Sequence, residues 1–115
     1  MKVLIVEDDP AIRELIKRII GDLADAVYEC DDGTNAPMLY ETNRPDWVLM
    51  DIRMKVVDGL TATEQIVRVW PGARILIVTS YSDLSLQEAA RNAGACGYVL
   101  KENLLVLRDW LKVPA

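Results

Sequence analysis

The sequence predicts an α/β domain, a doubly wound parallel sheet of five strands with five helices, and three observations carry that expectation. Short apolar segments alternate with helical patterns five times along the chain. Three of the apolar segments are continuous hydrophobic runs rather than apolar-polar alternations, as suits strands covered on both faces by helices. Crossovers between parallel strands are nearly always right-handed, which leaves few ways to wind such a chain.

The strands are expected at Lys2–Val6, Ala26–Cys30, Asp46–Met50, Arg74–Thr79 and Gly97–Leu100. Ile12, Leu15, Ile16 and Ile19 are spaced three and four apart and form one apolar stripe on a first helix, which Gly21 ends. Arg13, Lys17 and Arg18 take the opposite face. Ala36, Leu39 and Tyr40 mark a short second helix, with Pro37 tolerated because it falls in the first turn. Ala62, Ile66, Val69 and Trp70 give a third helix stopped by Pro71-Gly72, and Leu86, Ala89, Ala90 and Ala93 a fourth stopped by Gly94. Leu104, Leu107 and Leu111 give a fifth. The expected order is flavodoxin-like, 2-1-3-4-5, in which the functional crevice opens between strands one and three at their carboxyl ends.

With 115 residues the chain is expected to form one domain, spanning 1–115. Its 51% hydrophobic and 27% charged content is that of a soluble globular protein, and no run of about 20 apolar residues is present to span a bilayer. Met1-Lys2 leads into four apolar residues before Glu7, Asp8 and Asp9, which is no secretory signal, so a cytoplasmic location is expected. Eighteen acidic against 13 basic residues, a net charge of −5, argue against nucleic-acid binding through a basic face of this domain. Cys30 and Cys96 match no metal-ligand spacing, and the chain has no histidine, so a zinc site is not expected. The strand order puts the two thiols on opposite edges, roughly 19 Å apart, beyond disulfide reach, and both are expected to be small buried hydrophobes.

The chemistry gathers where strands end. Glu7, Asp8 and Asp9 follow the first strand and Asp51 the third, so several carboxylates meet at one crevice and need a cation. Mg²⁺ suits such a cluster, since it prefers hard oxygen ligands and keeps waters beside one or two carboxylates and a phosphate. Lys101, after strand five, supplies a second positive charge, and Thr79, ending strand four, a hydroxyl able to donate to a phosphoryl oxygen. Each residue also has a plainer reading. The acidic run can cap a helix, Asp51 can open a loop, Thr79 can be a β-branched strand residue, and Lys101 a solvated lysine.

The motifs VEDD at 6–9, VLMDIRM at 48–54, DG at 58–59, ILIVTS at 75–80 and GACGYVLK at 94–101 together resemble the receiver domains of two-component response regulators. The resemblance covers nearly the whole chain. It implies that Asp51 is the phosphoacceptor, Asp8 a direct Mg²⁺ ligand, Glu7 a water-mediated one, and the backbone carbonyl of Arg53 a further ligand beside Asp51. It also implies that Thr79 and Tyr98 are switch residues and that Lys101 pairs with the developing charge. Asp9, one acid more than the pattern needs, reads as a helix cap. The donor would be a phosphohistidine of a sensor histidine kinase, since this chain has no histidine of its own. The face formed by the fourth helix, fifth strand and fifth helix would carry the output, through a partner or a homodimer. DGLTAT, PGARILIVTS and GACGYVLKE look most like receivers that precede a LuxR-type DNA-binding domain, which is absent from this chain.

The chain departs from the pattern in several places. Lys55 stands where many receivers carry proline, and Val56-Val57 precede Asp58-Gly59 on what reads as an exposed turn, so a less rigid loop is expected. Gly59 is expected to keep the loop's course by allowing a backbone conformation costly for other residues. Arg53 and Tyr81 occupy positions that in this family govern water's access to the acyl phosphate, and both are bulky, which implies slow autodephosphorylation. The last helix reads as short. Trp110 and Leu111 either pack on the core or form an exposed partner site.

Three rival functions differ in kind. A flavin binder would need backbone amides for a phosphate where this chain offers carboxylates. A Mg²⁺-dependent phosphatase would need an acid two residues beyond Asp51, where Arg53 stands. An interaction module that is never phosphorylated would not need the complete acidic, threonine and lysine set. No independent substrate turnover, and so no enzyme in the ordinary sense, is expected.

Overall fold

The computed structural model describes residues 1–114. In chain order the elements are β1 (Lys2–Val6), α1 (Pro10–Ile20), β2 (Ala26–Cys30), α2 (Ala36–Asn43), β3 (Trp47–Met50), α3 (Gly59–Val69), β4 (Ile75–Thr79), α4 (Leu84–Ala93), β5 (Gly97–Leu100), a 3₁₀ segment (Lys101–Val106) and α5 (Leu107–Leu111). The five strands form one sheet in the order β2-β1-β3-β4-β5, with every neighbouring pair parallel. This is the expected flavodoxin-like order.

The continuous apolar runs are explained by two cores, one on each face of the sheet. Leu4, Val6, Val48, Met50, Ile75 and Ile77 point to one side, where they meet Ala36 and Tyr40 of α2, Ala62 and Ile66 of α3, and Ala90 of α4. Val3, Ile5, Trp47, Leu49, Leu76, Val78 and Val99 point to the other, against Ile16 and Ile20 of α1 and Leu107 and Leu111 of α5. Successive strand residues alternate in direction, so both sets must be apolar.

Local signals set the helix boundaries. Asp9 caps α1, its Oδ1 accepting from Ala11 N at 2.9 Å with Pro10 in the first turn. Asp58 caps α3 in the same way through Thr61 N at 2.8 Å. Pro37 lies in the first turn of α2 as expected, and Arg44 closes that helix in the left-handed region at φ 45°. Gly94 ends α4 at φ 108°, with its own N–H and that of Ala95 returning to carbonyls of the last turn.

Several sequence expectations need correction. Gly21 does end α1, but in the right-handed region at φ −57° rather than as a left-handed cap, and the chain leaves through a turn in which Leu23 and Ala24 both donate to Ile20 O. Leu15 and Val69 are exposed, because the buried stripes run through Ile16 and Ile20 and through Ala62 and Ile66. Cys96 is exposed just before edge strand β5, and Cys30, on edge strand β2, is half-buried. Both thiols are free. The fifth helix is two short ones, since Asn103 at φ −125°, ψ 41° interrupts the 3₁₀ segment before α5 begins. Leu104, Leu107 and Leu111 are nonetheless all buried. Trp110 is half-buried with its ring edge-on to Trp47, centroids 6.4 Å apart, which favours packing on the core. No helix among the described residues is long and apolar enough to cross a membrane.

Candidate functional site: an acidic crevice at the carboxyl ends of the strands

Register assembles the site. Val6 pairs with Met50 across β1 and β3, so the next residues, Glu7 and Asp51, emerge side by side. Their backbones continue the ladder, Glu7 N donating to Cys30 O and Asp51 N to Val6 O, each at 3.0 Å. Thr79 pairs with Leu100 across β4 and β5, which delivers Lys101 to the same rim.

Glu7 and Asp51 are almost fully buried, at 2% and 4% exposure. Lys101 Nζ bridges them, 2.7 Å from Glu7 Oε1 and 3.1 Å from Asp51 Oδ2. Glu7 Oε2 accepts from Asp9 N at 3.0 Å, and Asp51 Oδ1 accepts from Ile52 N at 2.8 Å. Burial raises the Glu7 carboxyl above its usual range and the Asp51 charge adds to the rise, against the pull of Lys101 and the Asp9 amide. Burial opposes the charge of Lys101, but hydrogen bonding to Glu7 and attraction by both carboxylates outweigh it and raise the ammonium pKa. Three carboxylates and one ammonium therefore leave the crevice net negative.

Carboxylate oxygens of Glu7, Asp8 and Asp51 all lie within 4.8 Å of one another, a donor set that fits a hard cation. Asp9 is not among them and serves α1 as its cap, as expected. Both Glu7 oxygens already have partners, while Asp8 is exposed at the mouth. Beside it opens a recess of about 560 Å³ bounded by Asp8, Asp9, Asp31, Asp32, Lys55 and Val56.

Thr79 is completely buried, and its hydroxyl accepts from Tyr81 N at 3.4 Å. Tyr98 packs against the core beneath α2, α3 and α4, and its hydroxyl donates to the Tyr81 carbonyl. Burial, then the charges of Asp83 and Asp51, raise the Tyr98 phenol. The Arg53 guanidinium lies over the Tyr81 ring, 4.6 Å from its centroid, so the two bulky side chains form a cation–π pair. Next to Tyr98, between α4 and β5, lies a recess of about 470 Å³ lined by Leu84, Gln87, Glu88, Arg91 and Cys96.

One contributor was not legible from the sequence, and another, Gly59, was read for the wrong reason. Arg13, read only as part of a polar helix face, donates from Nη1 to the Glu7 carbonyl at 2.6 Å and pairs with Glu29, pinning the acidic loop. Gly59 is a buried helix residue, not part of an exposed turn, and it has no positive φ. It is needed for space, since a Cβ there would lie 1.7 Å from the Asp51 carbonyl oxygen.

A doubly wound sheet with buried Asp51, the Glu7-Asp8 pair, Thr79 and Lys101 at one switch point defines a receiver-type signalling domain. The chain belongs to the response regulator receiver family, whose description, "Response regulator receiver domain", matches residues 3–108. It is 35% identical over 104 residues to transcriptional regulatory protein DegU of Brevibacillus brevis, covering 89% of this chain and 44% of that protein. It is 35% identical over 100 residues to chemotaxis protein CheY of Halobacterium salinarum, covering 87% of this chain and 83% of that one. The crystal structure of a LuxR-family two-component response regulator from Aurantimonas sp. SI85-9A1 superposes with TM-score 0.84 at 31% identity, over 96% of this chain and 84% of that one. The chain thus spans under half the length of the DegU relative. It is a receiver domain of a two-component response regulator.

Proposed function

We propose that Asp51 accepts a phosphoryl group from a phosphohistidine of a sensor histidine kinase. A carboxylate oxygen of Asp51 attacks phosphorus, the phosphorus–nitrogen bond breaks, and the imidazole leaves to take a proton from solvent. The product is a mixed acyl phosphate, and the catalysis needed is positioning and charge neutralisation. The observation that carries the reading is the crevice itself: a nearly buried Asp51 with Lys101 Nζ 3.1 Å from Oδ2 and carboxylate oxygens of Glu7 and Asp8 within 4.8 Å.

Asp8 and Asp51, with the Arg53 backbone carbonyl, would hold Mg²⁺ directly. Glu7, whose oxygens are already engaged, would act through a water. Bound there, Mg²⁺ would neutralise charge on the phosphoryl oxygens. Lys101 shares that task, and Thr79 turns its hydroxyl to a phosphoryl oxygen, giving up the Tyr81 amide. Tyr81 then shifts, and Tyr98, bonded to its carbonyl, shifts with it. The α4-β5-α5 face changes its preference for a partner, a second copy of the domain, or a DNA-binding output domain beyond this chain. The domain turns over no substrate besides its own acyl phosphate. The compartment this chemistry needs is the cytoplasm, where ATP-dependent kinases make phosphohistidine. Residues 1–115 act in this as one domain.

Intact mass after incubation with Mg²⁺ and acetyl phosphate, or with a phosphorylated kinase domain, is expected to show one added phosphoryl group that Asp51→Asn does not acquire. No gain with either donor would overturn the reading.

A further inference from the structure

Gly59, the first residue of α3, lies against the backbone of Asp51. Its N–H donates to Ile52 O at 2.9 Å. A Cβ built on it would lie 1.7 Å from the Asp51 carbonyl oxygen, 2.7 Å from the Asp51 carbonyl carbon and 3.0 Å from Met50 Cγ. These first two atoms are backbone and cannot swing aside as a flexible side chain would. The start of α3 cannot easily retreat either, because the Asp58 cap fixes it and Ala62, Thr63 and Ile66 are fully buried behind it.

The peptide unit that Gly59 touches is the one that orients the acceptor carboxylate. The Asp51 carbonyl and the Ile52 N–H belong to one rigid plane. At the opposite edge of that plane, Ile52 N donates to Asp51 Oδ1 at 2.8 Å, while Lys101 takes Oδ2. Turning the carbonyl away from a Cβ at position 59 turns the N–H off the carboxylate. We propose that Gly59 is a positioning residue for phosphoryl transfer: by carrying no side chain it lets α3 fix the Asp51–Ile52 peptide, and through it the Asp51 carboxylate. The inference rests on the reading of Asp51 as acceptor.

Gly33 supplies a control. A Cβ there would lie 2.5 Å from the Val57 carbonyl, another backbone contact on the same loop but one made to Val57 rather than to the Asp51 peptide. With the full chain, Mg²⁺ and acetyl phosphate, Gly59→Ala is expected to slow phosphoryl uptake about a hundredfold, the cost of misplacing a reacting group by about 1 Å. Gly33→Ala, if folded to the same extent by circular dichroism, should react as the wild type does. The Ile52 amide proton reads the bond itself and should move upfield in Gly59→Ala relative to wild type. Should Gly59→Ala fail to fold, replacing the Ile52 amide by an ester removes the donor without a clash and should slow uptake similarly.

A folded Gly59→Ala protein or an ester variant that reacts at the wild-type rate would overturn the proposal, as would an equal loss in Gly33→Ala. If the wild type takes up no phosphoryl group, the acceptor reading fails. The Ile52 shift then decides alone whether Gly59 holds the carboxylate, an unchanged shift refuting it.

Discussion

Lys101 Nζ lies 2.7 Å from Glu7 Oε1, closer than its 3.1 Å from Asp51 Oδ2, so the lysine is tied to both walls of the crevice rather than to Asp51 alone. Lys101→Ala leaves two nearly buried carboxylates facing each other without a counter-charge. Without divalent metal the variant should lose stability by up to about 3 kcal/mol, the low end for orphaning a buried charge, since Lys101 is itself partly exposed. Added Mg²⁺ should restore part of it, and at a hundredfold excess over its Kd should stabilise the wild type by about 2.7 kcal/mol. Asp8→Ala should respond far less. Urea unfolding with EDTA and with Mg²⁺ checks all three, and equal midpoints throughout would count against this view of the cluster.

The Arg53–Tyr81 stack predicts a joint effect on acyl-phosphate lifetime. The guanidinium lies 4.6 Å from the ring centroid, and under the proposed function the two side chains would screen the acyl phosphate from water as one unit. Exposed cation–π pairs are worth about 0.5–1 kcal/mol, so Arg53→Ala or Tyr81→Ala should each shorten the lifetime by roughly two- to fivefold. The double variant should shorten it little further, because either single change already breaks the stack. Decay followed by intact mass decides this, and unchanged lifetimes would remove both residues from the role.

What was legible in the sequence was whatever depends on period and order. Continuous apolar runs gave the two-faced sheet, and residues immediately after the strands, Glu7, Asp51 and Lys101, had to meet once the strand order was set. Contacts made by neighbours in space left no such mark. The spacing of Leu104, Leu107 and Leu111 fits one helix or two short ones, since three- and four-residue steps bury leucines in either. Leu15 completes an apolar stripe by spacing yet stays exposed, because the core lies a fraction of a turn away at Ile16 and Ile20. The need for Gly59 comes from the Asp51 carbonyl rather than from its own torsions, which no local signal reports.

The two thiols should separate cleanly by pH. Burial, with the charges of Asp32 and Asp31 beside it, pushes the Cys30 thiol up to about 11. An acid with so high a pKa is almost wholly protonated at pH 8, with roughly one molecule in a thousand as the reactive thiolate. Iodoacetamide at pH 8 should label exposed Cys96 first and Cys30 much later. Between pH 8 and 10 the Cys30 rate should climb about tenfold per pH unit, as the thiolate fraction does. Peptide mass mapping distinguishes the sites, and equal labelling at pH 8 would contradict the assignment.

At the opposite end of the sheet from the crevice, Gly97 makes room for an aromatic ring. A Cβ there would stand 2.6 Å from both Cζ2 and Cη2 of Trp110 and 3.0 Å from Leu76 Cδ2. Trp110 is held on its other side by Trp47, which in turn carries the Arg74 guanidinium 3.9 Å from its ring centroid. Arg74 Nη1 also donates to the Val113 carbonyl at 2.8 Å, so this cluster ties α5 and the residues after it to β3 and β5. Overfilling such a site typically costs about 1–3 kcal/mol, and Gly97→Ala is expected to fall in that range. Trp110→Leu removes the atoms nearest the added methyl, so Gly97→Ala should cost at least about 0.5 kcal/mol less in that background, as expected for residues in contact. The four proteins of the cycle can be compared by urea unfolding. Strict additivity would show that Gly97 is glycine for a reason other than the ring of Trp110.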